Sequence, residues 1–346
     1  MSLYKYDTYV TNLYDNFSDN SLKKNWDNFE HIWNTEIGEG VVKENSYIDF
    51  VNIGNTTDVK KKKCLVIKAT GDNYDLDTPK GLKKGKSQRV GGGVKSKDLM
   101  GPGEYNLRVK FTSYDSVCNA IWLFNYLEIE PDDFKHIKNE DYCVNNDIQE
   151  AAILNPEIDF ELLNDNYCRC NLYKSTEGLL EENNINLNDN NLNLNDNKWH
   201  NFKYIWETGL VKVSDLIGRK LKYHEIIITN GNMHIYQLKE KKYSKLNGIR
   251  VTKSIEHDNE YCLYYGKKIE ILIDNKTIYK KEMKDITFKN IINNTIPSTL
   301  CYFYIALWFP DFIKKKPDFY YTTMYIDEFE YKSNGNPIER IPTTEN

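Results

Sequence analysis

The sequence lacks the short motifs that mark most metal, nucleotide and redox sites. None of its seven cysteines forms a CxxC pair, its six histidines show no HExxH or Cys/His zinc spacing, and it has no GxGxxG or P-loop. Zinc, dinucleotide and P-loop chemistry are therefore not indicated. An odd number of cysteines does not suit a disulfide framework, so we expect reduced thiols.

The chain also lacks a recognisable targeting or membrane segment. The stretch "MSLYKYDTYVTNLYDNF" has no basic region followed by an apolar one, and the longest apolar run, "LCYFYIALWF", is about half the length that spans a bilayer. We expect a cytoplasmic or virion-packaged protein rather than a classically secreted one, with no membrane partner. The net charge of −5 predicts no nucleic-acid partner, and the lysine runs at 60–63 and 314–316 suit solvated turns.

Helical periodicity is scarce, whereas short alternating runs recur between turn signals. They include "YNLRVKF", "CNAIWLF", "EIDFELL", "FKYIWE", "KIEILID", "YFYIALWF" and "MYIDEFEY", and "IDNKTIYKK" is typical of a hairpin. This pattern predicts an antiparallel sandwich or barrel. The 26 tyrosines suit strands and could also line a sugar-binding cleft.

We expect one domain, 1–346, with two interruptions. The segment 181–198, "EENNINLNDNNLNLNDNK", is a low-complexity stretch of Asn, Leu and Asp that predicts an irregular surface loop. The segment 209–266 is longer than one hairpin and carries its own strand-like runs, "HEIIITN" and "MHIYQLK". It is typical of a larger insertion within the domain.

The stretch "NPEIDFELLND" alternates acidic and apolar residues. On a strand, Glu157, Asp159 and Glu161 share one face, with Ile158 and Phe160 on the other. Three like charges on one face repel one another, and carboxylates are rarely buried without a partner. One interpretation is an exposed, charged strand face. The other is a catalytic cleft, because glycoside hydrolysis needs two carboxylates and a third can help separate their pKa values.

A series of motifs around these acids resembles the family 16 glycoside hydrolases, which include lichenases, laminarinases and xyloglucan transglycosylases. The central stretch is similar to that family's ExDxE motif, and it has no extra residue before Glu161, as in the unbulged branch. The matching segments follow in order from about residue 17 to 331: "FSDNSLKKNW", "KSKDLMGPGEYNLRVKF", "CNAIWLF", "CNLYKS", "WHNFKYIWE", "KKIEILIDNKTIYKK", "TIPSTLCYFYIALW" and "MYIDEFEY".

The resemblance implies an all-β jelly-roll β-sandwich of the concanavalin A-like lectin/glucanase type, with a cleft on its concave face. It implies that Glu157 is the nucleophile, Asp159 the orienting acid and Glu161 the general acid/base. It also implies substrate-binding side chains at Trp308, Asn171, Tyr173, Trp122 and Lys95. Trp122 could equally be a core residue. His200 and Trp206 match family positions that usually pack in the sandwich, so we expect both to be structural.

The activity that the resemblance implies is endo-acting, retaining hydrolysis of a β-linked polysaccharide such as a β-glucan. The same residues would serve a transglycosylase, and a non-catalytic carbohydrate-binding or structural lectin-like protein is the third alternative. No cofactor is expected. A structural calcium ion occurs on the convex face of relatives, but no motif here demonstrates one. Neither the glycan nor the oligomeric state follows from the sequence.

Four positions depart from the family pattern. Asn155 and Pro156 replace the residues that usually precede the motif, and Ala306 replaces the usual polar residue before the final Leu-Trp. Lys95 stands where lichenases carry arginine, so the charge is kept but the bidentate fork is lost. These departures concern sugar binding rather than the acids.

Overall fold

A computed structural model describes residues 4–6, 9–19, 21–31, 40–54, 60–72, 89–129, 152–163, 166–173, 180–218, 226–229, 232–237, 242–246, 251–254, 260–338 and 342–344. In these ranges the chain is almost entirely β, with two large antiparallel sheets stacked as a jelly-roll sandwich. The fold class predicted from the alternating runs is therefore confirmed. No helix in the described ranges is long and apolar enough to cross a membrane.

The front sheet carries the acidic strand. Strands are numbered β1 to β25 along the chain, and the front sheet runs in the order β14, β13, β11, β8, β23, β6, β3, with β12 also paired with β11 and β15 paired with β12. Its strands are β3 (Trp26–Asn28), β6 (Gly92–Ser96), β8 (Cys118–Phe124), β11 (Glu157–Leu162), β12 (Tyr167–Arg169), β13 (Leu172–Tyr173), β14 (Leu180–Glu181), β15 (Asn184–Asn186) and β23 (Tyr302–Trp308).

The back sheet covers the other side of the core. Its order is β20, β21, β16, β7, β24, β5, β4, with β2 added beside β24 and β22 beside β21. Its strands are β2 (Asn12–Asp15), β4 (Ser46–Asn52), β5 (Lys61–Thr70), β7 (Gly103–Lys110), β16 (His200–Lys212), β20 (Val251–Ser254), β21 (Glu260–Ile273), β22 (Lys276–Glu282) and β24 (Tyr321–Ser333).

Smaller elements complete the described chain. Two strand pairs and one three-stranded sheet stand apart from the large sheets: β1 (Tyr4–Tyr6) with β25 (Pro342–Thr344), β9 (Leu127–Ile129) with β10 (Ala152–Leu154), and β17 (Ile226–Thr229), β18 (Asn232–Gln237) and β19 (Lys242–Leu246). The two short α-helices are α1 (Val213–Ile217) and α2 (Phe288–Ile292), and 3-10 turns cover Leu22–Lys24, Lys43–Asn45 and Leu187–Asn190.

The core between the two sheets is built from aromatic rings that alternate along their strands. Phe303 of the front sheet stacks on Tyr105 of the back sheet, with 5.5 Å between ring centroids, and lies 4.9 Å from Phe329. Trp26 meets Phe329 edge to face at 5.0 Å. All four rings are almost completely buried. Period-two alternation therefore gives each large strand one face for this core and leaves its other face outside.

The predicted hairpin forms with a tight two-residue turn. Ile273 of β21 pairs with Lys276 of β22, and both turn residues, Asp274 and Asn275, have positive φ angles of 50° and 64°. A two-residue turn with two positive φ angles matches the right-handed twist of the strands it joins. Asp and Asn adopt this backbone conformation more readily than most residues do.

The low-complexity segment differs from the irregular surface loop that its composition predicts. It forms β15 and a 3-10 turn, and its residues Leu187 and Leu194 are fully buried in the sandwich core. The side chain of Asn166 ties it down, because its Oδ1 atom accepts a hydrogen bond from the amide of Leu194 at 3.1 Å. The leucines pack while the intervening Asn and Asp residues face water. The interpretation of this segment as an insertion stays a prediction.

The longer segment, 209–266, begins and ends in strands of the back sheet. Gly209–Lys212 belongs to β16 and pairs with Cys262–Tyr265 of β21. The two strand-like runs of the sequence overlap β17 and β18, which pair with each other, and β18 also pairs with β19. Its treatment as an insertion, and the single-domain boundary 1–346, stay predictions.

We predict that Phe303→Ala lowers the free energy of unfolding by about 3–5 kcal/mol, because it removes a ring that contacts both sheets and leaves a cavity. Urea unfolding followed by tryptophan fluorescence measures the change. Tyr320→Ala is the control, since this residue is 58% exposed and the loss of its side chain should change stability by less than about 0.5 kcal/mol. Equal effects of the two substitutions would contradict this view of the core.

Candidate active site

The acidic strand β11 separates its side chains as the alternation predicted. Ile158 and Phe160 are fully buried in the core, while Glu157, Asp159 and Glu161 line a groove of about 650 Å³ on the outer face of the front sheet. The apolar pair fixes the strand, because a slip of one residue would place the acids in the core. The strand thus presents all three carboxyl groups to one cavity.

The strands on one side of β11, β12 and β13, place residues directly opposite the acids. Glu157 pairs with Tyr173 and Glu161 with Arg169, and the amide of Asp159 donates a hydrogen bond of 2.9 Å to the carbonyl of Asn171. Each acid therefore has its own neighbour on this side, in one constant register across β12 and β13.

The strand on the other side, β8, pairs with β11 in an unbroken register from Glu157 to Leu162. Trp122 lies opposite Asp159, and Ala120 lies opposite Glu161. The absence of a register shift agrees with the unbulged form of the motif that the sequence predicted. It keeps the three acids two residues apart on one face.

Aromatic rings form the floor and one wall of the groove beyond β8. The rings of Trp122 and Tyr304 are stacked, with centroids 4.9 Å apart and planes 16° from parallel. Phe29 meets both rings edge to face, at 6.2 Å from Trp122 and 5.5 Å from Tyr304. Further along β23, Trp308 meets Phe312 edge to face at 6.0 Å. Such rings offer apolar faces to a ligand.

All five side chains predicted to bind substrate line the same groove as the acids: Trp308, Asn171, Tyr173, Trp122 and Lys95. Trp122 is only half-buried and faces the groove, which decides between the cleft and core alternatives for it. Lys95 lies on β6, and its ammonium is 4.9 Å from the centroid of the Tyr302 ring. The binding roles of these residues stay predictions.

His200 and Trp206 lie outside the groove. Trp206 is fully buried, and its indole nitrogen donates a hydrogen bond of 3.0 Å to the carbonyl of Pro297. The ring of His200 lies between two carboxylates, with Nδ1 at 2.8 Å from Asp274 and Nε2 at 3.1 Å from Asp196. These contacts agree with the structural parts predicted for both residues.

The groove also contains side chains that the sequence analysis did not single out: Phe29, Glu30, His31, Phe124, Arg169, Glu182, Tyr304 and Phe312. Three of them carried a usable signal. Tyr304 is four residues before Trp308 on one strand, Phe124 is two after Trp122 on another, and Arg169 is two before Asn171, so each shares a face with a predicted residue. The others reach the groove through loops or sheet pairing that no local pattern in the sequence reveals.

Burial raises the pKa of both outer glutamates. The pKa of Glu157 rises to about 7, mainly because its carboxyl is removed from water, and the charge of Glu161 adds to the rise. The pKa of Glu161 also rises to about 7 for the same principal reason. Because the two groups interact, the titration near neutral pH is a property of the pair and not of either glutamate alone.

Asp159 is the most deeply buried of the three acids, and its pKa is raised well above the usual range. Desolvation is the largest cause, followed by the charges of Glu157 and Glu161. A hydrogen bond joins its side chain to that of Glu157, and this bond lowers the pKa of Glu157 while raising that of Asp159. This hydrogen bond therefore favours the protonated form of Asp159 and the ionised form of Glu157.

Two charged neighbours, Arg169 and Glu182, change the pKa of Glu161 in opposite directions. After desolvation, the Arg169 guanidinium lowers the pKa of Glu161, and the carboxylate of Glu182 raises it. Arg169 is held in place by Phe312, whose ring centroid is 4.0 Å from the guanidinium carbon, and by a hydrogen bond of 3.2 Å to Asn184. Glu161 thus has a cation near enough to stabilise its anion.

We predict that Glu157→Gln stabilises the protein above neutral pH. The raised pKa means that the folded protein binds a proton more tightly than the unfolded chain does, so wild-type stability falls as pH rises from about 4.5 to about 7. The variant lacks this loss. Its free energy of unfolding should exceed that of the wild type by on the order of 2–3 kcal/mol at pH 8 and by little at pH 4.5.

Urea unfolding at the two pH values measures this difference. Glu104→Gln is a matched control, because Glu104 is an exposed residue of the back sheet whose surface ion pair with Lys203 contributes little. A stability gain of equal size at both pH values would show that the carboxyl of Glu157 titrates normally.

No protein-family model and no curated protein sequence matches this chain. Solved structures do match over nearly its whole length. The laminarinase catalytic domain from Thermotoga maritima is 12% identical, covering 96% of this chain and 99% of its own, with a TM-score of 0.51. The Bacillus licheniformis β-glucanase is 12% identical over 94% of this chain and 99% of its own, with a TM-score of 0.50.

A third structure, described as a native glycosidic hydrolase, is 14% identical, covers 95% of this chain and 100% of its own, and has a TM-score of 0.51. The likeness extends across both sheets rather than a single hairpin, since it covers nearly all of each chain. The chain therefore has a fold like that of the family 16 glycoside hydrolases, as the order of its sequence motifs predicted.

Proposed function

We propose that this protein is a retaining glycoside hydrolase that cleaves a β-linked polysaccharide, such as a β-glucan, within the chain. The observation that carries the proposal is the row of three carboxyl groups on β11, which faces a groove lined by aromatic rings. Binding alone gains little from three clustered acids, because each charge that is buried costs free energy. Double displacement at a sugar uses such a row directly.

In the first step, the carboxylate of Glu157 attacks the anomeric carbon and the bond to the leaving oxygen breaks. Asp159 supports this step, because its hydrogen bond holds Glu157 in the ionised form. Glu161 supplies the proton that the leaving oxygen needs. Its raised pKa of about 7 lets it carry that proton near neutral pH.

In the second step, Glu161 acts as the base. It takes a proton from a water molecule, whose oxygen attacks the anomeric carbon and displaces Glu157, so the sugar keeps its configuration and both glutamates return to their first state. Between the two steps Glu161 is an anion. The Arg169 guanidinium stabilises that anion and lowers the pKa of Glu161.

The walls of the groove suit a sugar chain. Trp308, Trp122 and Tyr304 offer flat apolar surfaces on which sugar rings stack. The Oδ1 atom of Asn171 is buried and has no hydrogen-bond partner among the described residues, so it can accept a hydrogen bond from a ligand hydroxyl. The lining crosses five neighbouring strands, from β6 to β13, which is about 19 Å at the usual strand spacing. This length supports internal cleavage.

A row of small residues begins beside Glu161. Glu161 pairs with Ala120, which pairs with Ala306, which pairs with Gly93, so one row across the front sheet carries three small residues. A Cβ atom on Gly93 would lie 2.4 Å from the ring of Phe29, so this glycine gives the ring its space. Ala306, which departs from the family pattern, is fully buried in this row, so the polar side chain usual at this position is missing beside the groove.

The proposal is tested by incubating the protein with soluble β-glucans and other polysaccharides and measuring new reducing ends. We predict that Glu157→Ala lowers reducing-end release by at least about a thousandfold, because no nucleophile remains. Added azide should restore part of the turnover and give the glycosyl azide of inverted configuration. Glu104→Gln should behave like the wild type. Binding without cleavage or transfer by the wild type would favour a lectin-like protein instead.

Glu161→Ala should lose activity selectively. We predict near-complete loss on polysaccharides and much smaller loss on aryl glycosides with good leaving groups, since those leave without a proton. Added azide should give a product of retained configuration, because Glu157 still forms the covalent intermediate. Chromatography of the products and NMR of the anomeric proton distinguish the two azides. Equal losses on both kinds of substrate would assign Glu161 another role.

A further inference from the structure

A second buried acid lies outside the groove. Asp159 and Asp327 are the two buried carboxylates among the described residues, and Asp327 belongs to the back sheet. Calcium on the convex face is a feature of the fold family, so the surroundings of Asp327 show whether this chain could hold such an ion.

Asp327 is the bulged residue of β24. The pairing of β24 with β7 runs from Tyr325 to Ile326, skips Asp327, and resumes with Glu328 opposite Arg108. On the other side, pairing with β5 ends at Ile326. A bulged residue is released from the hydrogen-bond ladder and its side chain is redirected. Both the carboxylate and the carbonyl oxygen of Asp327 are therefore available to a cation.

Two cationic side chains fill this position. The ammonium of Lys62, on β5, makes an ion pair with the Oδ1 atom of Asp327 and lies 3.2 Å from its carbonyl oxygen. The guanidinium of Arg108, on β7, makes an ion pair with the Oδ2 atom. Its carbon atom lies 5.0 Å from the centroid of the Trp199 ring. The side chain of Asp327 is only 3% exposed.

These surroundings do not fit calcium. The ion takes six to eight oxygen ligands, whereas both carboxylate oxygens of Asp327 are in contact with nitrogen cations of the chain. Two fixed positive charges would also repel a divalent ion at this distance. In the part of the chain that the structure describes, no group of three or more His, Cys, Asp or Glu side chains is placed to hold a metal ion.

We propose that the Lys62 ammonium takes the place of a bound metal ion on the back sheet. It enters the oxygen site formed by the carboxylate and carbonyl of Asp327, and Arg108 makes a second ion pair with the same carboxylate. The two cations reach Asp327 from the two strands that flank its bulge, so the cluster joins β5, β24 and β7. The stability of the fold then depends on this tethered cation and not on calcium, whatever the groove on the front sheet does.

The first test compares wild-type melting temperatures in 5 mM calcium chloride and in 5 mM EDTA. We expect them to agree within about 1 °C, because a ligand that does not bind the folded state cannot stabilise it. A wild-type melting temperature that rises in calcium, with a rise that Asp327→Asn abolishes, would overturn the proposal. Asp327 would then bind the metal in spite of its two cations.

The second test removes the ammonium and keeps most of the stem. Lys62→Met should lower the melting temperature by about 5 °C, because it leaves a buried carboxylate with one partner fewer. Lys62→Arg should recover at least half of that loss. Lys61→Met is the matched control, since Lys61 is the exposed neighbour on the same strand, and it should change the melting temperature by no more than about 1 °C.

A double substitution separates the ion contact from simple packing. In the Asp327→Asn background, Lys62→Met should lower the melting temperature by less than about 1 °C, because the charge that Lys62 balances is gone. An equal loss in both backgrounds would mean that the lysine stem, and not its ammonium, stabilises the sheet, and the proposal would fail.

Discussion

The burial of three carboxyl groups on one strand face is the constraint on which the rest of the site depends. Removing a carboxylate from water is expensive, and three in a row add mutual repulsion. The fold meets this cost from behind, where Ile158 and Phe160 are locked into an aromatic core that spans both sheets. A strand anchored less firmly would twist its acids toward water.

The same burial also determines the protonation of the acids in the groove at neutral pH. A row of acids in a low-dielectric cleft cannot ionise fully, so protons stay on it at neutral pH. The most enclosed group, Asp159, has a raised pKa and shares a hydrogen bond with Glu157 that lowers the pKa of Glu157, while Arg169 limits the rise in the pKa of Glu161. Burial supplies the raised pKa values, and the neighbours make the two glutamates different from each other.

Much of this arrangement could be predicted from the sequence, because a strand needs only two-residue alternation to assign its faces. That rule placed the three acids together. Trp308, Trp122, Tyr173 and Asn171 were predicted from the resemblance to the family motifs, and all four line the same groove as the acids. It could not show that Arg169 would lie opposite Glu161, since that contact depends on which strands pair and in which register. Residues that enter from loops, such as Phe29 and Glu182, were out of reach for the same reason.

The composition of the segment 181–198 predicted a surface loop, but the segment carries core residues, and this limits how its sequence can change. In the segment 181–198, Leu187 and Leu194 are core residues set among solvent-facing Asn and Asp. Such near-repetitive stretches readily gain or lose a few codons when DNA is copied. Here a shift of even one residue would exchange a buried leucine for a polar neighbour. The spacing of the leucines along this stretch is therefore fixed, although its composition is simple.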